Sequence, residues 1–388
     1  MKRQYRLKKN SQITIMVSSL DPHTPVRTPN GFFNIKDLNI GESVLTSKGF
    51  RDIVNKKSRA YSGKAVEITA LKRSDKFPLR LMPECPVLTK TGWKPAIDVG
   101  MEDELALADD SFGRYCRWNN QRIDLAEQFG AHQYCRTETE IWIHGSRNKS
   151  LKRDVQINKD FAELYGMYLS EGSASKKGIV FAISQDEHEF TSRIVKLVKL
   201  VWGLDAVVED CSKSRKRWVR VYSKILEEFY AKSCGSGARN KRIGLFDRLT
   251  RHTAAKVLKG IWLGDGSDET YGYEITTCSR EMALQIIALG DRLKMRLSLE
   301  WNSTRDSYRI RTGIEFAKNF SLILDDGKFT NRNNGKSQKT TPIKLIKCVD
   351  YSGEVFDIQV DKAHDFMTHH CIVHTSIPTE KESSPPSL

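Results

Sequence analysis

The sequence has no long apolar run, no paired-cysteine motif and no secretory signal. Nowhere in its 388 residues do about 18 apolar residues follow one another, so no membrane-spanning helix is expected. The apolar part of the N-terminal stretch, ITIMV, is too short for the core of a signal peptide, and a strand is the better prediction. We therefore expect a cytoplasmic protein that is not secreted and does not bind a membrane.

The spacing of the cysteines and histidines does not fit a zinc finger. None of the eight cysteines has Cys-x-x-Cys spacing, and reduced thiols are expected in a chain without a secretory signal. Four of the nine histidines fall within eleven residues, at His364, His369, His370 and His374. Because no paired cysteines stand upstream of them, this cluster needs another explanation.

The sequence does have a strong excess of positive charge. It contains 63 Lys and Arg against 48 Asp and Glu, a formal net charge of +15. Residues 196–242 hold 12 basic and 5 acidic residues, and the stretch SKSRKRWVRVYSK surrounds Trp218 and Tyr222 with basic side chains. This pattern is typical of strands that follow phosphate groups. The partner is expected to be nucleic acid, and a basic surface without that role is the alternative.

An internal repeat lies in the middle of the chain. The segments FAELYGMYLSEGS and AAKVLKGIWLGDGS each predict an apolar helix with an internal glycine, followed by an acidic residue, Gly and Ser. The internal glycines are Gly166 and Gly260, and the acids are Glu171 and Asp265, which lie 94 residues apart. Small residues on one face let helix backbones approach closely, so the two helices are expected to pair through these glycines.

The residues after each motif also repeat. Each half is predicted to run helix, strand, helix, strand pair, helix, and its strands alternate polar and apolar positions as half-buried antiparallel strands do. Two such copies predict an α/β domain with pseudo-twofold symmetry over residues 158–330. Its halves are residues 158–250 and 251–330.

The acid at each helix end indicates a metal site. A carboxylate at a helix C-terminus opposes the helix dipole, and two carboxylates brought together need a cation. We therefore predict that Glu171 and Asp265 bind a divalent metal. Alternatively, each acid is only an exposed residue near a helix end. That alternative is reasonable for one acid but explains less well why two acids occur at matching positions of the two repeats.

The two segments resemble the paired motifs of LAGLIDADG homing endonucleases, and the resemblance covers roughly residues 155–330. It implies αββαββα repeats with the motif helices at the centre. It also implies that Glu171 and Asp265 bind Mg²⁺ (or Mn²⁺) and activate water for double-strand DNA cleavage. In GARNKRIGLF, which resembles the family's lysine-bearing block, Lys241 would be the active-site cation. Such a lysine can stabilise the phosphate in the transition state, and a plain phosphate contact is the alternative.

The resemblance further implies a double-stranded DNA target held by the two sheets in its major groove. Because the halves carry different side chains, the target site is expected to be asymmetric. We expect a monomer with internal pseudo-twofold symmetry and no obligate protein partner. The candidate DNA-binding residues, in SKSRKRWVRVYS and EWNSTRDSYRIR, are Lys213, Arg215, Arg217, Arg220, Arg305, Arg309 and Arg311.

The two flanks of this domain resemble the parts of an intein, a Hint-type protein-splicing domain. Short β-rich runs with N-G, K-G and T-G turns predict an all-β domain formed by residues 19–106 and 341–375. The fold class is therefore multidomain, with an all-β intein domain split by the α/β endonuclease domain. Residues 107–157 are a linker or an extension of the DNA-binding surface. Residues 1–18 and 376–388 are extein-like flanks, and the second is expected to be disordered.

The intein resemblance implies splicing roles for individual residues. Ser19 would be the first nucleophile, because a threonine five residues later sets the register. Its hydroxyl would attack the preceding carbonyl to give an ester. Asp357 and His364 match the block that assists the central transfer, His374 matches the penultimate histidine, and Ser376 would accept the acyl group.

Two groups that splicing requires are missing. Cys85 stands where the pattern has a histidine that protonates the leaving amide, and a thiol is a poor substitute for it. Thr375 stands where a terminal Asn must cyclise, and threonine has no side-chain amide. We expect impaired splicing with a weak first step at Ser19. His369 and His370 are expected in the turn between the last two strands.

These features together predict an intein-encoded homing endonuclease that makes a site-specific double-strand break in DNA. When bound to its target it would be associated with the nucleoid. Three alternatives stay open. The chain could be a splicing-competent intein, a DNA-binding protein of the same fold that does not cleave or, less well supported, an RNA maturase.

Overall fold

The computed structural model describes most of the chain. Lys213, Ser376, both flanks and the helix predicted after residue 313 lie outside the described residues, so the predictions made for them are not addressed by the structure. The described residues are 19–74, 76–107, 121–129, 134–144, 150–212, 214–269, 272–293, 295, 297–313 and 340–375.

The N-terminal segment consists of short strands and one long strand. Its N-G, K-G and T-G turns close antiparallel hairpins, as predicted, and their glycines Gly31, Gly49 and Gly92 have positive φ angles of 118°, 87° and 120°. The strands are β1 (Pro25–Thr28), β2 (Gly31–Asn34), β3 (Ser43–Thr46), β4 (Gly49–Ala70), β5 (Leu79–Leu81), β6 (Pro86–Thr89), β7 (Gly92–Pro95) and β8 (Glu104–Ala106).

The described part of residues 107–157 packs into the α/β core. Ile123, Leu125, Ile141 and Val155 are buried in the same apolar cluster as the helices that follow. This segment is therefore part of a folded unit and not a free linker. Its elements are β9 (Arg122–Asp124), α1 (Leu125–Gln128), β10 (Tyr134–Arg136), β11 (Glu140–Ile143), β12 (Leu151–Lys152) and β13 (Asp154–Gln156).

The first repeat forms a four-stranded antiparallel sheet with helices on one face. The strand order is β14-β15-β17-β16. The elements are α2 (Lys159–Glu171), β14 (Gly172–Ser175), β15 (Gly178–Ser184), α3 (His188–Trp202), β16 (Val207–Asp210), β17 (Lys216–Val221) and α4 (Lys224–Cys234).

The second repeat has the same order of elements as far as it is described. Its sheet order, β18-β19-β21-β20, matches that of the first repeat. The elements are α5 (Arg251–Asp265), β18 (Gly266–Glu269), β19 (Gly272–Thr277), α6 (Arg280–Arg292), β20 (Leu297–Asn302) and β21 (Ser307–Gly313).

A short strand directly follows each motif helix. The sequence analysis did not predict these strands, because it located strands by their apolar residues. These strands have the sequences GSAS and GSDE, which lack alternating apolar residues and therefore give no strand signal. Backbone pairing with the next strand holds them in the sheet. The structure thus has the αββαββ order that the family resemblance implies, in place of the predicted helix–strand–helix order.

The C-terminal segment completes the sheet begun by the N-terminal segment. It consists of β22 (Thr340–Val360), β23 (Asp365–Met367) and β24 (Ile372–His374). Strand β22 pairs with β4 along most of its length, and β24 pairs with β6. Both segments share one core, in which Leu20, Ile68, Val87, Ile358 and Phe366 are fully buried. We call residues 19–106 and 340–375 the β unit.

The β unit contains a second internal repeat, which the sequence analysis missed. The stretches YSGKAVEI and YSGEVFDI lie opposite each other on β4 and β22, with Tyr61 paired with Gly353 and Gly63 paired with Tyr351. Each tyrosine hydroxyl donates a hydrogen bond to the carbonyl three residues further on, at 2.8 and 2.7 Å. This part of the β4–β22 pair therefore has a local pseudo-twofold axis.

The β unit packs directly against the second repeat. Arg280 at the start of α6 donates a hydrogen bond to Asn34 Oδ1 at 3.0 Å, and Gln285 donates one to the carbonyl of Asn30 at 3.0 Å. The ring of Phe77 stacks on Tyr308 with centroids 5.3 Å apart. The described residues form a mixed α/β protein with several sheets, and none of their helices is long and apolar enough to cross a membrane.

Candidate functional site

Side-chain caps fix where the two motif helices begin. The Asn158 side chain accepts a hydrogen bond from the backbone N–H of Phe161 at 2.9 Å, which caps α2. Helix α5 begins with a capping box between Thr250 and Thr253. Each helix ends at its acidic residue, and the following glycine is the C-cap. The motif therefore places one carboxylate at the last position of each helix.

The two motif helices meet at their internal glycines, as predicted. A Cβ atom added to Gly166 would lie 2.2 Å from the carbonyl oxygen of Val257 and 2.9 Å from the Cα of Gly260. One added to Gly260 would lie 2.3 Å from the carbonyl oxygen of Glu163. No real Cβ atom tolerates such distances to backbone, so only glycine permits this approach of the two helices.

Substitution of Gly166 is expected to destabilise the protein in proportion to the size of the new side chain. Gly166→Ala should lower the free energy of unfolding by about 1–3 kcal/mol, because the facing atoms are backbone and cannot rotate away. Gly166→Leu should lower it further. Urea unfolding would measure both changes.

The matched control is Gly203, which has a φ of 70° and no atom within 4 Å of an added Cβ. Ala and Leu at this position should cost about the same, roughly 1–2 kcal/mol, because only backbone strain is involved. Equal stability of Gly166→Ala and Gly166→Leu would contradict the close helix contact.

The C-terminal ends of the two helices bring the acids together. A Cβ atom on Gly264 would lie 2.3 Å from Ser170 Oγ and 3.0 Å from Glu171 Cγ, so the ends of α2 and α5 are in contact. Burial and, to a smaller extent, the negative charge of Glu171 raise the pKa of Asp265 to about 7. The positive charge of Lys241 acts in the opposite direction. The structure therefore places both predicted metal ligands in one half-buried, electrostatically coupled site.

Glu171 is in a comparable environment. Burial is the main cause of its raised pKa, and the charge of Glu187 adds to it. Lys241 and Lys216 lower the pKa of Glu171. Two carboxylates that both resist ionisation at the same place form a site that a cation would stabilise.

The raised pKa of Asp265 predicts a pH-dependent gain in stability for Asp265→Asn. Near pH 3.8 and below, this carboxyl binds its proton in both the folded and the unfolded protein, so the variant and the parent should be equally stable. As the pH rises towards 7, the unfolded chain ionises first and the parent loses stability relative to the variant. The gain should approach roughly 4 kcal/mol above pH 7.

Urea unfolding between about pH 4 and 8 with a chelator present would measure this gain. The control is Asp210→Asn, because a hydrogen bond from Arg217 lowers the pKa of Asp210. That variant should lose stability relative to the parent as the pH rises. A gain for Asp265→Asn that does not change with pH would contradict the raised pKa.

Lys241 is buried beside the two acids but donates its hydrogen bonds elsewhere. Its Nζ donates to the carbonyls of Tyr168 and Gly172 at 2.7 and 2.6 Å, and it lies 4.4 Å from the centre of the Tyr168 ring. Burial lowers the pKa of Lys241, whereas Cys234, Asp265 and Glu171 raise it. The structure thus places Lys241 in the predicted cluster, where it caps the C-terminal end of α2.

Tyr168 belongs to this site and was missed by the sequence analysis. Its ring packs on Lys241 and lies 4.2 Å from the ring of Tyr230. Tyr168 stands three residues before Glu171, which puts both on neighbouring positions of one helix face. That spacing could have identified it.

The open face of the first sheet, the face without helices, carries part of the predicted DNA-binding set. Lys216, Trp218 and Arg220 alternate along β17 on this face, where Arg220 pairs with Glu209 at 3.0 Å and stacks on Trp218. Arg217 departs from the prediction. Strand alternation puts it on the face of the buried Val219 and Val221.

Ion pairing accounts for the placement of Arg217. Its side chain is 12% exposed and binds Asp210 at 2.6 Å, and its Nη1 lies 3.1 Å from His188 at the start of α3. The Arg217 guanidinium therefore links Asp210 on the edge strand β16 to His188 on α3. Arg217 and Arg220 were both predicted to face the DNA, but alternation along β17 puts them on opposite faces.

The open face of the second sheet holds two of the predicted arginines around one acid. Glu274 is 7% exposed, and its carboxylate accepts a hydrogen bond from Arg311 Nε at 2.5 Å and lies 3.5 Å from Arg309 Nε. Arg311 also bonds Glu300 at 2.8 Å. The sequence analysis missed Glu274, which orders both guanidinium groups.

The other predicted arginines lie in turns at the ends of the sheets. Arg215 is 83% exposed and pairs with Asp186 at 2.8 Å, and Arg305 lies in the exposed turn between β20 and β21. These positions extend the open faces outward. Surface pairs of this kind are weak, so such arginines can exchange their partners.

Ser19 lies buried at one end of the β unit. The backbone N–H of Met82 donates to the carbonyl of Ser19 at 3.1 Å, and the guanidinium of Arg59 donates to its Oγ at 3.2 Å. The next residue, Leu20, is paired with Phe356 by two hydrogen bonds of 2.9 Å. The structure thus fixes the predicted nucleophile by both its backbone and its side chain.

The predicted C-terminal splice residues lie together. His374 Nδ1 donates to the carbonyl oxygen of Thr375, and the backbone N–H of Thr375 donates to the carbonyl of His364 at 2.8 Å. The rings of His364 and His374 stack with centroids 6.1 Å apart. Burial lowers the pKa of His374, as does the charge of His364. Asp357, which was predicted to assist the central transfer, and Cys85, which stands in place of a histidine, are buried in the same unit.

His369 and His370 lie in the turn between β23 and β24, which confirms that prediction. Both are buried, and the Nε2 of each donates to the carbonyl of Phe77, at 2.8 and 2.7 Å. The backbone N–H of Ala70 donates to His370 Nδ1 at 3.0 Å, so His370 is neutral, and burial lowers its pKa to about 4. Among the described residues, no group of three or more metal-binding side chains gathers here.

No protein-family model matches the chain. Among curated proteins, it is 22% identical over 407 residues to the ATP-dependent DNA helicase Hel308 of Thermococcus kodakarensis, an alignment that covers 92% of this chain and 36% of the helicase. It is also 22% identical over 409 residues to the uncharacterized protein MJ0043 of Methanocaldococcus jannaschii, covering 90% of this chain and 50% of that protein. The chain spans half or less of the length of these relatives.

Two kinds of solved structure are similar to parts of the chain. The crystal structure of the homing endonuclease I-DmoI in complex with DNA and Mn has a TM-score of 0.34 and 13% identity, and covers 44% of this chain and 98% of that one. The gp41-1 intein has a TM-score of 0.20 and 23% identity, and covers 23% of this chain and 68% of that one.

Proposed function

We propose that this protein is a LAGLIDADG-type endonuclease, carried within an intein-like β unit, that makes a site-specific double-strand break in DNA with a divalent metal. The meeting of Glu171 and Asp265 at the ends of two paired helices supports this most strongly. Burial there costs each carboxylate free energy, and the pKa of Asp265 rises to about 7. Packing alone gives no reason for two acids at this position, whereas metal binding does.

The two carboxylates fit Mg²⁺ or Mn²⁺ in the chemistry of their oxygen atoms. Such ions are commonly held by one or two carboxylates, with water and substrate phosphates as the other ligands. When bound, the ion would supply positive charge to the phosphate under attack and lower the pKa of bound water. Glu171 and Asp265 would hold it, and it would remove the repulsion that resists their ionisation.

The chain's own groups would order the reaction site. Lys241 holds the last turn of α2 through the carbonyls of Tyr168 and Gly172, so it fixes the backbone on both sides of Glu171. Its charge also favours the ionised forms of Glu171 and Asp265. Lys241 would therefore act on the two carboxylates, in addition to any contact with phosphate.

The open faces of the two sheets would bind the DNA. Arg220, Arg309 and Arg311 are described on these faces, and Trp218 adds an aromatic surface between basic groups. Because the pseudo-twofold places one sheet on each side of the helix pair, the duplex would lie across both. Two half-sites in one chain would let the protein act as a monomer, without an obligate partner, in the cytoplasm and on the nucleoid.

The β unit would be an intein domain with impaired splicing. Its two chain segments share one core, and Ser19, His364 and His374 occupy ordered positions in it. Thr375 still lacks the amide needed for cyclisation, and Cys85 lacks an imidazole. Splicing competence and DNA binding without cleavage are the alternatives, with RNA maturation as a weaker one.

A cleavage assay on the uninterrupted host gene tests the proposal. The probe is a duplex in which the codons for residues 1–18 are joined directly to those for residues 376–388, with more of the host gene on either side. Cleavage that requires Mg²⁺ or Mn²⁺ is expected. Binding of this duplex without cleavage at any divalent metal concentration would favour the non-cleaving alternative, and binding of intron RNA in preference to the duplex would favour the maturase.

A further inference from the structure

One buried glutamine joins the β unit to the segment of chain that carries Lys241. Gln285 on α6 is 1% exposed, and its Nε2 donates hydrogen bonds to the carbonyl of Asn30 at 3.0 Å and to that of Ile243 at 3.3 Å. Its Oε1 accepts a hydrogen bond from the backbone N–H of Ile243 at 2.7 Å. A single side chain therefore holds the turn between β1 and β2 and both polar backbone groups of Ile243.

The Lys241 segment, residues 241–244, is fixed by α6 at two points. Besides the hydrogen bonds between Ile243 and Gln285, the fully buried Oγ of Ser279 donates to the carbonyl of Lys241 at 2.6 Å. The Lys241 side chain leaves this segment and binds carbonyls at the end of α2, beside Glu171. A displacement of Gln285 would therefore reach the acid pair through the backbone of residues 241–243.

The turn between β1 and β2 restricts where the Gln285 amide can lie. A Cβ atom added to Gly31 would lie 2.7 Å from Gln285 Nε2 and 2.8 Å from its Cγ, so any side chain at this position would force Gln285 to move. A buried amide that moves loses the hydrogen bonds that it makes. The same hairpin makes a second contact beyond the Lys241 segment, where the Arg27 guanidinium packs over the ring of Phe246, 4.7 Å from its centre.

We propose that Gln285 is a positioning residue for DNA cleavage, through which the β1–β2 hairpin holds Lys241 beside the two acids, an inference that rests on the proposed endonuclease activity. The cleavage site is then complete only when this hairpin is in place. The β unit is thus a working part of the nuclease as well as its carrier. Small displacements of a group at a reaction site slow catalysis strongly, even when they originate far from the chemistry.

Alanine substitutions of Gly31 and Gly92 test this role as a matched pair. The two glycines have φ angles of 118° and 120°, so alanine strains the backbone similarly at both, but nothing lies within 4 Å of a Cβ atom added to Gly92. Gly31→Ala should slow metal-dependent cleavage of bound DNA by about 10–10²-fold, whereas Gly92→Ala should cleave at the parental rate. Both should bind the duplex in Ca²⁺ with near-parental affinity, because the arginines proposed to bind DNA are unchanged.

A double variant shows whether Gln285 transmits the effect. Gln285→Ala removes the side chain that Gly31→Ala would displace, so it should slow cleavage to a similar extent, and combining the two should slow it no further. Hydrogen exchange of the Lys241 segment gives a readout that does not depend on cleavage. The amide of Ile243 should exchange faster in Gly31→Ala than in Gly92→Ala, because its acceptor has moved.

The outcomes separate this inference from the endonuclease proposal. Equal cleavage rates in Gly31→Ala and Gly92→Ala would overturn the role of Gln285, as would equal exchange at Ile243, and both comparisons remain decisive if Gln285→Ala does not fold. Loss of DNA binding in Gly31→Ala alone would contradict an effect through Lys241. A parent protein that leaves the duplex uncut would overturn the endonuclease proposal and with it the role in cleavage, whereas hydrogen exchange would still decide whether the hairpin holds the Lys241 segment.

Discussion

Replacing Asp265 with Asn should abolish metal-dependent DNA cleavage and leave DNA binding nearly intact. The amide keeps the size of the side chain but cannot ionise, so the site loses half of its carboxylate charge. The rate should fall by at least about 10²–10³-fold, the scale for removing one group that stabilises a transition state electrostatically. The arginines proposed to bind DNA are unchanged in this variant, so a mobility-shift assay in Ca²⁺ should show near-parental affinity.

Asp247→Asn is the matched control for this variant. Burial raises the pKa of Asp247 as well, but this residue lies in the turn before α5 and not at the helix ends. It should cleave DNA at the parental rate. If Asp265→Asn lost DNA binding together with cleavage, the acid would be structural, and the metal-site assignment would be wrong.

Replacing Thr375 with Asn should create C-terminal cleavage where the parent has none. An Asn side chain can attack its own backbone carbonyl to form a succinimide, which releases the chain from Ser376 onwards. The structure already supplies assistance, because His374 Nδ1 donates to the carbonyl oxygen of residue 375. That hydrogen bond points at the oxygen on which charge develops. Mass spectrometry would detect the shortened chain.

Two further variants test the cause of that cleavage. Thr375→Val has the shape of threonine but no reactive side-chain group, so it should stay intact. Thr375→Asn combined with His374→Ala should cleave much more slowly than Thr375→Asn alone. An intact chain in Thr375→Asn itself would show that residue 375 is not at an intein terminus, and the splice-site register would have to be abandoned.

The sequence predicted the centre of the molecule well because its signals there are local. A glycine inside an apolar helix, an acid at the helix end and a second copy of both define the helix pair, and the contact of Gly166 with Gly260 follows from them. The hairpins of the β unit were equally predictable from the sequence, because their N-G, K-G and T-G turns contain glycines that adopt positive φ. Features of this kind depend on residues close together in the sequence, so one sequence is enough to predict them.

The features that the sequence did not predict depend on tertiary contacts. The strands GSAS and GSDE exist because a neighbouring strand pairs with them, not because of their own propensity. The partners of Arg217, Asp210 and His188, lie on a neighbouring strand and a helix, which the stretch around Arg217 does not show. The carbonyl partners of Lys241, at Tyr168 and Gly172, lie at the C-terminal end of α2, 73 and 69 residues away in the chain.

Mapping the cut ends on the uninterrupted duplex tests the central proposal most directly. The parent protein, incubated with the joined duplex and Mg²⁺, should leave a double-strand break at one position close to the junction of codons 18 and 376. Sequencing of both strands would locate it, and Asp265→Asn should leave the same duplex whole. A duplex that is bound but uncut, or cuts scattered without preference and unaffected by Asp265→Asn, would contradict a site-specific endonuclease centred on Glu171 and Asp265.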